Sequence, residues 1–306
     1  MIRITGRGLT ADMQAAQYSV AGQALVGQTA MAGLASYATG LASRNFTDLL
    51  SNFDEPPMMT AANAPLRYSG KAYFDGKFRE VRYWRSTNRG QLDVDRVPVC
   101  QIDFNESHIH VLNCKSLGVG LNMELITGPA LVLLMALRET YCMHAGSVDT
   151  KVGRIGIIAE SGAGKSTLSQ HIGDDWCQVS DDIMPFALNE SAQAIDVLPD
   201  FPQLKLANNR VENADNAARS LDYLLRVNPA PSDTVSFAVL PRVEAMLQIV
   251  RHTVAAKLFD IETLHKHADF AKDVSTLVPV IEVSYPRELD QLDHLRDSIV
   301  DYLGSL

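Results

Sequence analysis

Residues 159–166 of the 306-residue chain read Ala-Glu-Ser-Gly-Ala-Gly-Lys-Ser, which is the pattern of a phosphate-binding loop. Before them, Arg154–Ile158 has the pattern of a short buried strand, and after them Thr167–Ile172 has that of a helix start. A strand–loop–helix unit directs backbone N–H groups and the positive end of a helix at a phosphate chain. A glycine-rich turn alone does not require Lys-Ser after it, so the stretch predicts a nucleotide site on an α/β fold.

Two side chains of this loop have predicted roles in holding the nucleotide. Lys165 would reach the β- and γ-phosphates, and the Ser166 hydroxyl would bind Mg²⁺. The predicted nucleotide-binding residues are Ser161, Gly162, Ala163, Gly164, Lys165, Ser166 and Thr167.

A carboxylate pair and a histidine flank the loop in sequence. Gln178–Ile183 has the pattern of a strand that ends in Asp181-Asp182, and His144 lies in the strand before the loop. Ligands of α/β folds bind at the carboxyl edge of the sheet, so the aspartates are expected beside the phosphates. One aspartate, with Asp181 as the candidate, would bind Mg²⁺, and the other would accept a proton from an attacking hydroxyl. The residues leave the choice of base open.

Composition excludes several classes of protein. A formal net charge of -9 argues against general binding to nucleic acid or to anionic membranes. The four cysteines show neither a CxxC pair nor a zinc spacing, which indicates reduced thiols. Residues 13–43 carry no charge but are rich in polar side chains, so a membrane span is not expected there. No secretory signal is evident, and the chain is expected to be cytoplasmic.

The hydrophobic pattern predicts three segments. Residues 1–65 are expected to be a helical segment with a linker, 66–124 a β-rich subdomain, and 125–306 the nucleotide-binding domain. In the β-rich part, Asp75-Gly76 predicts a hairpin turn. His108 and His110 share one strand face there, which favours a polar face over a metal site because no third ligand is near in sequence.

Three motifs together resemble the catalytic domain of HPr kinase/phosphorylase: His144–Ser147, Glu160–Leu168 and Val179–Asp182. They are still more similar to HPr-kinase-related proteins found beside peptide-modification genes, including lasso-peptide kinases. The resemblance covers about Leu125 to Leu206. It implies a mixed sheet flanked by helices, a homo-oligomer, and a serine kinase that uses ATP and Mg²⁺. It also implies that Lys165 and Ser166 bind the nucleotide and Mg²⁺, with an aspartate as acid/base near His144.

Three functions are compatible with these residues. The first is a kinase that phosphorylates a serine of a protein or peptide, and the second is a small-molecule kinase on the same scaffold. The third is a nucleotide-gated switch that hydrolyses ATP slowly or not at all. Phosphate-loop domains host all three, so the fold by itself does not distinguish them.

Overall fold

The computed structural model divides the chain into two compact units. Unit 1 comprises Met1–Arg138 with Ala255–Asp260, and unit 2 comprises Glu139–Val254 with Ile261–Leu306. The structure describes residues 1–6, 16–21, 23–27, 38–41, 58–74, 76–112, 124–160, 168, 176–198, 201–202, 218–230, 234–286 and 292–306. This division differs from the predicted one, which had boundaries after residues 65 and 124.

Unit 1 is built on a nine-stranded sheet. Its strands are β1 (Ile2–Gly6), β2 (Ala16–Val20), β3 (Gln23–Gly27), β4 (Ala38–Leu41), β5 (Leu66–Phe74), β6 (Lys77–Arg85), β7 (Arg89–Val94), β8 (Val97–Asp103) and β9 (His108–Val111). Their order across the sheet is β4-β2-β3-β1-β9-β8-β7-β6-β5. Strand β1 runs parallel to both β3 and β9, whereas the remaining pairs are antiparallel. Strands β5 to β9 lie within residues 66–111, and β5 pairs with β6 in antiparallel fashion, with Phe74 opposite Lys77.

The helical prediction for residues 1–65 is wrong in the part that the structure describes. Tyr18 and Val20 alternate with less buried neighbours along β2, as in a strand with one buried face. Strands β2 and β3 pair in antiparallel fashion up to Val20 opposite Gln23, as in a hairpin. Ala21 has a φ of 47°, which suits a hairpin turn. Because this part of the chain is rich in alanine, the alternation was not evident from the hydrophobic pattern of the sequence.

An apolar helical segment covers residues 126–136 and belongs to unit 1. A π-helical turn at Ile126–Ala130 contains Pro129 and continues into helix α1 (Leu131–Ala136). All six residues of α1 are buried. The turn packs on β8 and β9, so this segment belongs with the nine-stranded sheet rather than with the nucleotide-binding domain predicted for 125–306.

Unit 2 contains two sheets and, in its described part, three regular α-helices. The four-stranded sheet has the order β10 (Thr140–Met143), β14 (Met184–Asn189), β15 (Ala194–Val197), β16 (Arg219–Ser220). The six-stranded sheet has the order β13 (Cys177–Ser180), β11 (Gly146–Thr150), β12 (Gly153–Ile158), β17 (Tyr223–Pro229), β19 (Val280–Tyr285), β18 (Ser236–Val239). The helices are α2 (Arg242–His252), α3 (Ile261–Leu277) and α4 (Leu292–Leu303).

The six-stranded sheet is mixed, as the predicted fold class requires. Strands β12, β17 and β19 are parallel, and their buried aliphatic side chains form the centre of the unit 2 core. Strands β11, β13 and β18 run antiparallel to their partners. Leu168, which follows the phosphate-loop sequence, is buried in the same core. The expected strand Tyr141–Val148 is instead two strands in different sheets, divided at His144-Ala145.

A buried histidine makes the stability of unit 2 depend on pH. The His267 ring lies 4.9 Å from the Tyr141 ring, and its Nε2 lies 2.9 Å from the Thr253 hydroxyl. Burial lowers the pKa of His267 to about 4, against an ordinary value of 6.5. Below pH 6.5 the unfolded chain therefore binds a proton that the folded chain excludes, and stability falls as the pH falls towards 4.

We expect this histidine to contribute up to about 3 kcal/mol of stability above pH 6.5, most of it lost near pH 4. Urea unfolding at several pH values between 7.5 and 4 measures the effect. In His267→Gln the same loss of stability should be smaller, because glutamine does not titrate. An unchanged pH slope in that variant would assign the acid sensitivity to other groups.

Two further predictions from the composition concern membrane spans and the state of the cysteines. No helix in the described ranges is long and apolar enough to cross a membrane. Of the three described cysteines, Cys100 and Cys142 are buried and Cys177 is exposed.

Candidate active site

Three chain segments meet at one edge of the six-stranded sheet. Strand β11 is antiparallel to both β12 and β13, so it begins where they end. Gly146 lies opposite Ile157 of β12, and Ser147 lies opposite Ser180 of β13. The residues after β12, the residues after β13 and those before β11 therefore share an edge. These are Glu160, the Asp181-Asp182 pair and His144.

His144 and Asp182 form the central contact of this edge. His144 Nδ1 lies 3.3 Å from Asp182 Oδ1. The His144 side chain is 43% exposed, whereas that of Asp182 is only 12% exposed. A shielded carboxylate beside an accessible imidazole is an arrangement in which protons can be exchanged with a bound hydroxyl. The structure thus brings together two of the residues singled out from the sequence.

The two aspartates occupy different environments. Asp181 is 2% exposed, and its Oδ1 accepts a hydrogen bond from the Gln178 amide at 3.4 Å. Before it, the Ser180 hydroxyl lies 2.9 Å from the Ser147 hydroxyl and joins the strand ends of β13 and β11. Asp182 is 9% exposed, so Asp181 is the more enclosed of the two carboxylates.

The end of helix α2 supplies residues that the sequence analysis missed. The His144 backbone N–H donates to the His252 carbonyl at 2.7 Å, and the Val254 N–H donates to the Cys142 carbonyl at 2.8 Å. Arg251 forms a 3.0 Å ion pair with Glu160, the second residue of the phosphate-loop sequence. These residues lie about 100 positions after the loop and fit no motif, so only the fold places them beside His144.

His252 is a buried polar group within this cluster. Its Nε2 has no hydrogen-bond partner among the described residues. Burial lowers the pKa of His252, which favours the neutral imidazole, while the Glu160 carboxylate opposes this shift. The positive charges of Arg251, His144 and Arg226 add to the lowering. The cluster thus combines two histidines, two arginines and a carboxylate around one strand end.

The predicted phosphate-loop residues Ser161–Thr167 lie outside the described residues, and so does most of the Asn-rich stretch 207–218. The described residues contain no group of three or more His, Cys, Asp or Glu side chains that could hold a metal. Mg²⁺ commonly binds one or two carboxylates and takes its other oxygen ligands from substrate phosphates and water. The oxygen donors of Asp181 and Asp182 fit that ligand set.

His108 and His110 belong to unit 1 and lie side by side there. Their rings lie 3.7 Å apart between centroids, and the Thr5 hydroxyl lies 2.9 Å from His108 Nε2. Burial lowers the pKa of His108 to about 3, so its imidazole is neutral at ordinary pH.

Replacing His144 with glutamine should slow the phosphoryl transfer expected from the sequence without abolishing it. Glutamine can still donate a hydrogen bond to Asp182, but it cannot share a proton as imidazole does. We expect a roughly 10- to 100-fold lower turnover, the range produced by small misplacements of a reacting group. Steady-state phosphoryl transfer across pH 6 to 9 measures this, and wild-type turnover in the variant would exclude a role for His144.

Comparison with known proteins finds similar solved structures but no matching family model or curated protein. The HPr(Ser) kinase/phosphatase from Coxiella burnetii is 14% identical, and the match covers 53% of this chain and 94% of that chain with a TM-score of 0.28. These values do not establish membership of that family.

Proposed function

We propose that this protein is an ATP- and Mg²⁺-dependent kinase that transfers the γ-phosphoryl group to a hydroxyl, with serine in a protein or peptide as the expected acceptor. The observation that carries the proposal is the contact between His144 and Asp182. It lies at the sheet edge where β12 ends, and β12 is the strand that leads into the phosphate-loop sequence.

Asp182 has the role of general base in this proposal. Its carboxylate takes the proton of the acceptor hydroxyl as the acceptor oxygen bonds to the γ-phosphorus. The bond from that phosphorus to the bridging oxygen breaks, and ADP leaves with the electron pair. His144 donates a hydrogen bond to Asp182 and orients it. His144 itself is held through its backbone by the carbonyl of His252.

The nucleotide would be held by residues predicted from the sequence. The backbone N–H groups of Gly162–Ser166 and the Lys165 ammonium would hold the phosphates, and Ser166 with Asp181 would hold Mg²⁺. When bound, Mg²⁺ neutralises charge on the β- and γ-phosphate oxygens. The enclosed position of Asp181 suits a metal ligand, and the more accessible position of Asp182 suits a base.

Product analysis tests the proposal. The protein is incubated with Mg²⁺, [γ-³²P]ATP and a library of serine-containing peptides. Labelled peptide supports a protein or peptide kinase. A labelled metabolite from a small-molecule pool, with no labelled peptide, supports a small-molecule kinase, and inorganic phosphate alone supports an ATPase or switch.

A further inference from the structure

Helix α2 carries apolar side chains on two opposite faces. Its inner face, which includes Ala245 and Ile249, is buried. On its outer face Val243 is 73% exposed and Leu247 is 60% exposed. Met246 and Val250 are half-buried and complete a stripe with the spacing i, i+3, i+4, i+7. We call Val243, Met246, Leu247 and Val250 the outer stripe. A surface helix ordinarily presents polar side chains on this side.

The outer stripe leads directly to the candidate active site. Strand β18 is antiparallel to β19, so it ends at the sheet edge opposite to Asp181 and Asp182. Helix α2 begins three residues after β18 and runs back to the sheet edge that carries Asp181 and Asp182, which we call the catalytic edge. There its last carbonyl accepts a hydrogen bond from the N–H of His144. Arg251, one helical turn beyond Leu247, is ion-paired with Glu160. The outer stripe therefore runs along α2 towards the end of the helix that contacts His144.

The size of the stripe indicates what kind of partner it fits. An 11-residue helix is about 16 Å long. With a face roughly 10 Å wide, it offers on the order of 160 Å², against about 800 Å² on each side of a stable protein complex. A second copy of the chain would need a much larger surface. A short peptide segment that binds only during a catalytic cycle can be held by a contact area of this size.

The distances along the helix set a spacing for the bound segment. Leu247 precedes the end of the helix by five residues, or about 7 Å, and Val243 precedes it by about 13 Å. An extended chain advances about 3.3 Å per residue, so these distances correspond to roughly two and four residues. Side chains of an extended segment could therefore contact the stripe while a nearby hydroxyl lies at Asp182.

We propose that the outer stripe of α2 binds the acceptor, as an extended peptide segment with apolar side chains about two to five residues from the phosphorylated serine. This inference rests on the proposed kinase function and adds a substrate class to it. The apolar contacts supply affinity, and the register between the stripe and the catalytic edge selects which hydroxyl reaches Asp182.

The test uses alanine-based peptides with one serine and either leucine or glutamine at each position from five residues before it to five after it. Wild-type protein with Mg²⁺-ATP should phosphorylate the best leucine peptide about 10-fold more efficiently than its glutamine counterpart, the effect of about one buried side chain. Leu247→Glu and Val243→Glu should abolish this preference. The control is Phe78→Glu in unit 1, where the exposed fraction of the side chain is also 73%, and it should keep the preference.

A binding measurement separates the two proposals. Fluorescein-labelled leucine peptide is titrated with each variant in the presence of ADP, and fluorescence anisotropy reports its affinity. Binding that Leu247→Glu weakens, without any phosphorylation of the peptide by wild-type protein, would support the stripe and overturn the kinase function. Phosphorylation with equal efficiency for leucine and glutamine peptides would support the kinase function and overturn the stripe.

Two further outcomes would overturn the inference. One is a leucine preference that persists in both glutamate variants after circular dichroism has shown that they are folded. The other is self-association: a wild-type dimer that Leu247→Glu converts to a monomer in sedimentation velocity would assign the stripe to a second copy of this chain.

Discussion

Asp182→Asn is expected to lower phosphoryl transfer by about 10²- to 10⁴-fold, the contribution of a positioned general base. The asparagine amide has nearly the same shape as the carboxylate but does not accept the acceptor proton. Affinity for ATP should change little, because the phosphates are assigned to the loop residues and Lys165. Single-turnover transfer of ³²P to a serine peptide measures the rate, and titration with a fluorescent ATP analogue measures the affinity.

Asp196→Asn is the matched control for this variant. Asp196 lies in β15, where its carboxylate accepts hydrogen bonds from Asn189 and Ser220. It is outside the candidate site, so its replacement should leave the rate close to wild type. Asp181→Asn should instead raise the Mg²⁺ concentration required for activity. If Asp182→Asn retains wild-type activity and Asp181→Asn does not, the roles of the two aspartates are reversed.

Asp149→Ala should reduce the free energy of unfolding by about 3–5 kcal/mol, the usual cost of breaking a buried ion pair. Asp149 accepts two hydrogen bonds from the guanidinium of Arg154, at 2.6 and 2.9 Å. The Arg154 side chain is 1% exposed, so the variant removes a carboxylate from beside an enclosed positive charge. Arg154 also donates to the Val197 carbonyl at 3.4 Å, which joins the two sheets of unit 2.

Urea unfolding followed by circular dichroism measures this change. Glu282→Ala is the matched control, since Glu282 pairs with Arg226 at 2.8 Å but both side chains are more than one-fifth exposed. That variant should lose less than about 1 kcal/mol, as expected for a solvent-screened pair. The double variant Asp149→Leu with Arg154→Met should be more stable than Asp149→Ala, because it removes both charges. Equal losses for Asp149→Ala and Glu282→Ala would show that burial does not set the cost.

The sequence predicted that these residues share one edge of the sheet because they belong to motifs with local context. The strand pattern of β12, the carboxylates after β13 and the histidine before β11 each appear within short windows. The rule that ligands bind at the carboxyl edge of the sheet then brings them together. The cluster of residues at the end of α2 could not be predicted in this way. His252, Arg251 and Arg226 are ordinary helix and strand residues, and only the pairing of β12 with β17 and the return of α2 place them there.

The N-terminal strands show a different limit of the same reasoning. Alanine is the strongest helix former and is depleted in strands, so the alanine-rich composition of residues 1–50 favoured a helical prediction. What stabilises β1 as a strand is its pairing with β3 and with β9. The second of these pairings joins residues far apart in the chain. A pattern read over a dozen residues cannot reveal a pairing between such distant strands.

That pairing also constrains the order of events during synthesis. Strand β1 occupies the middle of the nine-stranded sheet, yet its neighbour β9 follows it by about 100 residues, which a ribosome adds in roughly 5–20 s. Throughout that interval one hydrogen-bonding edge of β1 has no partner within the nascent chain. The sheet of unit 1 can be joined only after β9 emerges, and a chain stalled before residue 108 would present an open strand edge to the cell.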